Sequence, residues 1–316
     1  MYKGKRIGLA LGGGGARGFA HLGVLRTLKK FGIVPDVISG TSMGALIAIG
    51  YAQGGNFKNT HRSLRQFVIE YNDRFMEMNV VETSTCDAKG PIGKIKCQID
   101  RNLQILNFAR KKFIADNSLL NDITDTFIKE QDIKDLDTPT YICSLDTTSG
   151  HYQYFNEGSL KKAIVASMSI PGYFEGVHSE GRHFFDAQSV VPVPVQIFRE
   201  VPVDILISVE VAEQVKGDFS ASNAADILFR QPDILYHHSI SEVYNCSDVV
   251  IRPELNDIHW TDFKQLDSIL KAGVMEAENS IERIDAACEN FQSNTLKRPW
   301  HLHGYETPPT SLRTHI

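Results

Sequence analysis

The sequence has 316 residues, 42% of them hydrophobic and 22% charged, which excludes disordered and collagen-like chains. It carries 33 Lys and Arg against 38 Asp and Glu, a net charge of −5, and this argues against a general nucleic-acid binder. The length allows one large domain or two, with ample core.

In chain order, Arg6–Leu11 reads as a strand and leads into a glycine run, Gly12 to Gly18. Helical periodicity then covers Gly18–Phe31, a strand follows at Val37–Gly40, and helices follow at Ser42–Gln53 and Phe57–Tyr71. Residues 72–117 break the alternation and read as a cap or insertion. Beyond them come a helix at Ser118–Glu130, strands at Thr140–Leu145 and Tyr152–Phe155, and a helix at Ser159–Ser167. Strands at His183–Phe185, Ile205–Val209 and Val249–Ile251 and a helix at Asp262–Phe291 complete the pattern. Strands alternating with helices predict an α/β fold with a mainly parallel central sheet flanked by helices on both faces. Residues 1–290 read as one domain and 291–316 as a tail that lacks periodicity.

Strand, glycine run and helix together make an anion site, because free N–H groups point out of the helix start and glycines admit close approach. Gly13, Gly15 and Gly18 satisfy the spacing GxGxxG, yet a dinucleotide fold needs an acid at the end of the second strand, and Asp36 precedes that strand. The other chemistry for such a loop is an oxyanion hole. A tight turn without a ligand is the plain alternative.

Gly40-Thr41-Ser42-Met43-Gly44 fits G-x-S-x-G between a strand and a helix. This context makes a nucleophile elbow, whose sharp turn lifts the serine hydroxyl off the sheet edge. Ser42 could equally cap the following helix. An activated serine needs a base. His151, His178, His183, His237, His238, His259, His301, His303 and His315 lie downstream, none in a convincing strand-end loop. Asp186 is better placed, just where the short apolar strand before it ends.

Taken together, these segments resemble the patatin-like phospholipases over roughly Lys5 to Ala287. Gly13-Gly14-Gly15-Ala16-Arg17-Gly18 matches the family's GGGx[RK]G, Gly40 to Gly44 its elbow, and Ala166-Ser167-Met168-Ser169-Ile170-Pro171-Gly172-Tyr173-Phe174 its A-S-x-SIPG-x-F stretch. Asp146 resembles the acid that follows the family's central strand. The resemblance implies a Ser–Asp dyad hydrolase of lipid acyl esters. Ser42 would be the nucleophile and Asp186 the base, and the N–H groups of Gly13, Gly14 and Gly15 would form the oxyanion hole. Arg17 would orient the loop or hold the ester's polar end, and Met43 would belong to the substrate site. The family usually has DG[GA] at the aspartate, whereas this chain has Asp186-Ala187-Gln188. A catalytically weakened regulatory or lipid-binding protein is therefore the alternative.

The five cysteines, Cys86, Cys97, Cys143, Cys246 and Cys288, are odd in number and form no CxxC, which favours a reducing, cytoplasmic compartment. The apolar run Ile7–Leu11 is too short for a secretory signal, and Met43–Ala52 is too short to cross a bilayer. The basic segment from Lys94 to Phe113 could touch anionic lipid, as could Phe75, Met76 and Met78, but packing within the protein is the commoner use. No cofactor and no metal set is expected. The expected partner is a lipid or acyl-ester substrate, with peripheral contact at the inner membrane surface as an option and no nucleic acid.

Overall fold

The structure is a computed structural model that describes residues 2–54, 57–77, 112–212, 221, 224–255, 258–291 and 316. Met78, nearly all of the basic segment from Lys94, the tail at 292–315, and the side chains of Phe75 and Met76 lie outside the described residues.

Among the described residues, eight strands form one sheet: β1 (Ile7–Leu11), β2 (Val37–Thr41), β3 (Thr140–Asp146), β4 (His151–Phe155), β5 (Val177–Ser179), β6 (Arg182–Phe185), β7 (Ile205–Val209) and β8 (Val249–Ile251). Their order is β5-β6-β3-β2-β1-β7-β8, with β4 also paired to β3. The five strands from β3 to β8 are mutually parallel. β4 and β6 run antiparallel to β3, and β5 antiparallel to β6. β5 has only three residues and carries no apolar alternation to mark it.

The described helices are α1 (Ala20–Lys30), α2 (Met43–Ala52), α3 (Phe57–Glu77), α4 (Ser118–Phe127), α5 (Leu160–Met168), α6 (Ala224–Cys246) and α7 (Leu266–Glu289). α3 runs six residues past the predicted end at Tyr71. The turn Gly15–Phe19 is a 3-10 helix, so α1 starts at Ala20 rather than at Gly18. α6 corresponds to no predicted element. No described helix is long and apolar enough to cross a membrane.

Strand side chains alternate between two buried clusters. Ile7, Leu9 and Leu11 join α1, α2, α5 and α7 in the larger one. Ala10 and Leu206 face the smaller one, built from Val191 to Phe198 with Val243 and Cys246 of α6. Both faces are covered as expected. The second, however, is covered among the described residues by a single helix and an irregular segment with a short 3-10 turn, Gln196–Arg199. Three aspartates fasten the strand starts: Asp36 accepts the Ile7 N–H at 2.8 Å, Asp204 that of Arg6 at 2.7 Å and Asp248 that of Leu206 at 2.7 Å. Asp36 is thus engaged at the opposite sheet edge from the glycine loop, where it cannot hold a ribose.

Candidate active site

Ser42 links β2 to α2 with φ 54° and ψ −126°. Lys3, Ser42 and Glu180 are the described non-glycine residues at positive φ, and Ser42 alone of these is buried. Holding such a backbone costs about 1–3 kcal/mol, so the surroundings must impose it. They do so through close contact. A Cβ on Gly40 would lie 2.5 Å from Ala45 Cα, and one on Gly44 would lie 2.3 Å from the Leu11 carbonyl oxygen. The Ser42 carbonyl accepts from Ala45 and Leu46 and starts the helix, but its hydroxyl makes no cap. The hydroxyl is therefore free for chemistry, and the capping alternative drops out.

The register explains how Asp186 reaches it. β4 fills one side of β3 from Ile142 to Asp146, so Thr41, paired with Cys143, and Phe185, paired with Leu145, both lie along the other side. β2 runs parallel to β3 and β6 antiparallel, so one further residue on each brings Ser42 and Asp186 to the level of Ser144. Asp186 is buried, and its N–H donates to the Ser169 carbonyl at 2.8 Å. Oδ1 accepts the Gln188 N–H at 2.8 Å, while Oδ2 is buried with no hydrogen-bond partner. Burial pushes the carboxyl up to about 6, against the opposing influence of the Ser42 hydroxyl and the Gln188 N–H.

Ala187 leaves this arrangement intact. Its φ is not positive, and its carbonyl accepts from Val190 and Val191 at 2.9 and 2.7 Å. The side chain packs in the smaller core cluster. A Cβ is accommodated here, so nothing in the structure favours the weakened-enzyme alternative.

The glycine loop lies against the chain neighbours of Asp186 and Ser42. A Cβ on Gly13 would meet Gln188 Oε1 at 2.6 Å, and one on Gly18 would meet Met43 Cγ at 2.3 Å. One expectation is corrected. The Gly13 N–H already donates to the Pro192 carbonyl at 3.0 Å, so it is not an open oxyanion donor. Gly12 is likewise tied to Val209, and Ala16 to the Trp260 carbonyl. The N–H groups of Gly14 and Gly15 have no partner among the described residues. Arg17 is buried, and its Nε donates to the Ile258 carbonyl at 2.5 Å, which braces the loop from behind. Met43 is buried between loop and elbow.

His21 was not singled out from the sequence. It is fully buried, and Nε2 lies 2.7 Å from the Gly12 carbonyl. A carbonyl only accepts, so Nε2 carries the proton, and burial lowers the ring to about 4. Its one signal in the sequence is a polar residue on the buried face of the helix after the loop. His178, His183 and His259 make their contacts with residues other than Ser42 and Asp186. His178 and His183 stack on each other at 3.7 Å, and His259 bonds Thr261. Asp146 is held below its ordinary range by the Ser149 hydroxyl and the Thr148 and Ser149 N–H groups, and it fixes the β3–β4 turn.

The family model for patatin-like phospholipases matches residues 9–199. Patatin-like phospholipase domain-containing protein 7 of Mus musculus is 26% identical over 70% of this chain and 14% of its own length. Lysophospholipase nte1 of Aspergillus niger is 24% identical over 89% of this chain and 18% of its own. The chain thus spans less than a fifth of the length of these relatives. Among solved structures, VipD from Legionella pneumophila aligns with a TM-score of 0.44 and 14% identity, over 90% of this chain and 67% of that one.

Proposed function

The chain belongs to the patatin-like phospholipase family, and from that premise we propose that it is a cytoplasmic serine hydrolase of lipid acyl esters. The observation that carries this reading is the buried, unpartnered Asp186 Oδ2 beside a serine whose hydroxyl caps nothing. Asp186 takes the Ser42 proton as Oγ attacks the acyl carbonyl carbon. The Gly14 and Gly15 N–H groups take the charge that develops on the carbonyl oxygen. The tetrahedral adduct collapses, and the departing alcohol or lysolipid takes the proton from Asp186. A water then gives its proton to Asp186, attacks the acyl carbon, and releases the fatty acid as Ser42 regains its proton. Arg17 and Met43 act from behind, holding the loop against the elbow. Free, buried Cys143, Cys246 and Cys288 accord with a reducing compartment.

Peripheral contact with a lipid surface belongs to this reading, because the ester must leave a bilayer or micelle to reach Ser42. Apolar residues exposed on α6 lie toward the same sheet edge and suit that contact.

Reaction with a fluorophosphonate ester, read by intact mass, tests the assignment. Wild type should gain one adduct, Ser42→Ala none, and Asp186→Asn should react at least 100-fold more slowly. A folded wild type that stays unlabelled would falsify the hydrolase reading.

A further inference from the structure

We propose that Ser167 is a positioning residue for the nucleophile, and that the end of α5 sets the separation between Ser42 and Asp186. The role rests on the hydrolase reading above. Ser42 follows β2 and Asp186 follows β6, and those strands run toward each other end to end along the same side of β3, whose other side β4 occupies. No ladder bond therefore joins nucleophile to base. One three-residue stretch ties all three strands instead. The Ser167 hydroxyl accepts the Ser42 N–H at 2.9 Å and donates to the Cys143 carbonyl of β3 at 2.7 Å. Two residues on, the Ser169 carbonyl accepts the Asp186 N–H at 2.8 Å. The Ser169 hydroxyl in turn donates to the Val165 carbonyl at 2.6 Å and closes the helix end.

The contact with Ser42 falls where it matters most. Ser42 holds the strained backbone conformation, and its N–H is the group that the Ser167 hydroxyl takes up. Ser167 is fully buried, so water cannot replace its hydroxyl. Without it, the Ser42 N–H and the Cys143 carbonyl both lose a partner, and the elbow can relax toward an ordinary backbone. A shift of about 1 Å in a reacting group can cost about 100-fold in rate. Substrate binding away from the reacting carbon would feel little of this.

The test compares wild type, Ser167→Ala, Ser167→Thr and Ser280→Ala, using a soluble short-chain aryl ester and the fluorophosphonate probe. Ser280 is a buried serine on α7 that bonds only within its own neighbourhood, and it serves as the control for a lost buried hydroxyl. Ser167→Ala should lower kcat about 10- to 100-fold, leave KM within about twofold, and slow labelling in proportion. Hydrogen exchange at the Ser42 amide should quicken. Ser167→Thr, which keeps the hydroxyl, should recover most of the rate, and Ser280→Ala should keep it all. If the alanine variant does not fold, Ser167→Cys, a weak acceptor of similar size, should show an intermediate loss. A folded Ser167 variant without the hydroxyl that labels as fast as wild type overturns the positioning role alone. An inert wild type overturns the hydrolase reading and takes this role with it.

Discussion

In the reaction proposed above, Asp186 does opposite things to rate and to stability. Its carboxyl is raised from 3.8 to about 6, chiefly by burial. The base works only when ionised, so kcat/KM should rise about tenfold per pH unit below 6 and level off above it. Stability follows the other sign. The folded state binds the proton more tightly than the unfolded chain, so folding loses stability as pH rises from about 4 to about 6. The loss is on the order of 3 kcal/mol, by the shift of roughly two units. Asp186→Asn removes that buried charge and keeps an oxygen for the Gln188 N–H. It should be nearly inactive and yet melt higher than wild type at pH 8, with the gain shrinking at pH 5. A variant that melts lower at pH 8 would mean that the charge is compensated in the folded state. The strand-end positions of Ser42 and Asp186, the proposed dyad, are legible in the sequence because each carries a local signature. The status of the Gly13 N–H is not legible, because it depends on Pro192, far along the chain and brought close only by the fold. The same holds for Ala187, whose φ and packing only the fold reveals.

At the scale of elements, helices with one clean apolar stripe are readable and mixed ones are not. α2 is buried nearly all round, and α7 repeats apolar residues toward the sheet, so both announce themselves. α6 does not. It packs through Tyr236, Val243 and Cys246 while exposing Ile227, Leu228, Ile234 and Leu235, and its sequence places a proline, a helix breaker, mid-run. Its anchor is electrostatic as much as apolar. The Tyr236 and Tyr244 hydroxyls donate to the buried Glu210 at 2.6 and 2.8 Å, and Arg252 lies 3.6 Å from the same carboxylate. The packing of α1 on α7 is equally hidden, because it turns on absent atoms. A Cβ on Gly273 would stand 2.1 Å from the Ala20 carbonyl oxygen. Gly273→Ala should therefore force the helices apart and cost about 1–3 kcal/mol, read as a lower urea midpoint. Ala20 opens the helix behind the glycine loop, so labelling of Ser42 should slow as well. An unchanged midpoint would mean that the helices separate freely.

Across the whole molecule the sheet divides its labour by edge. Asp36, Asp204 and Asp248 fasten the starts of the parallel strands, and Ser42, Asp186 and the glycine loop gather at the opposite side. α6 connects the two. It ends at Cys246, close to Asp248 at the fastening edge, and holds Glu210 just past the end of β7. Its 23 residues span about 35 Å at a rise of about 1.5 Å each, against about 17 Å for a five-residue strand. About half of the helix therefore extends beyond the catalytic edge. Four of the ten exposed large apolar side chains among the described residues, Ile227, Leu228, Ile234 and Leu235, lie on that half. A hydrolase that draws its ester from a lipid surface gains by burying such residues there, at about 25 cal/mol per Å². Leu228→Ser with Leu235→Ser should weaken co-sedimentation with phosphatidylcholine vesicles several-fold and slow vesicle hydrolysis equally. Turnover of a soluble short-chain ester should stay as in wild type, because neither residue touches the dyad. Unchanged vesicle binding in the double variant would remove α6 from the interface, and a parallel fall with the soluble ester would place its effect in the site itself.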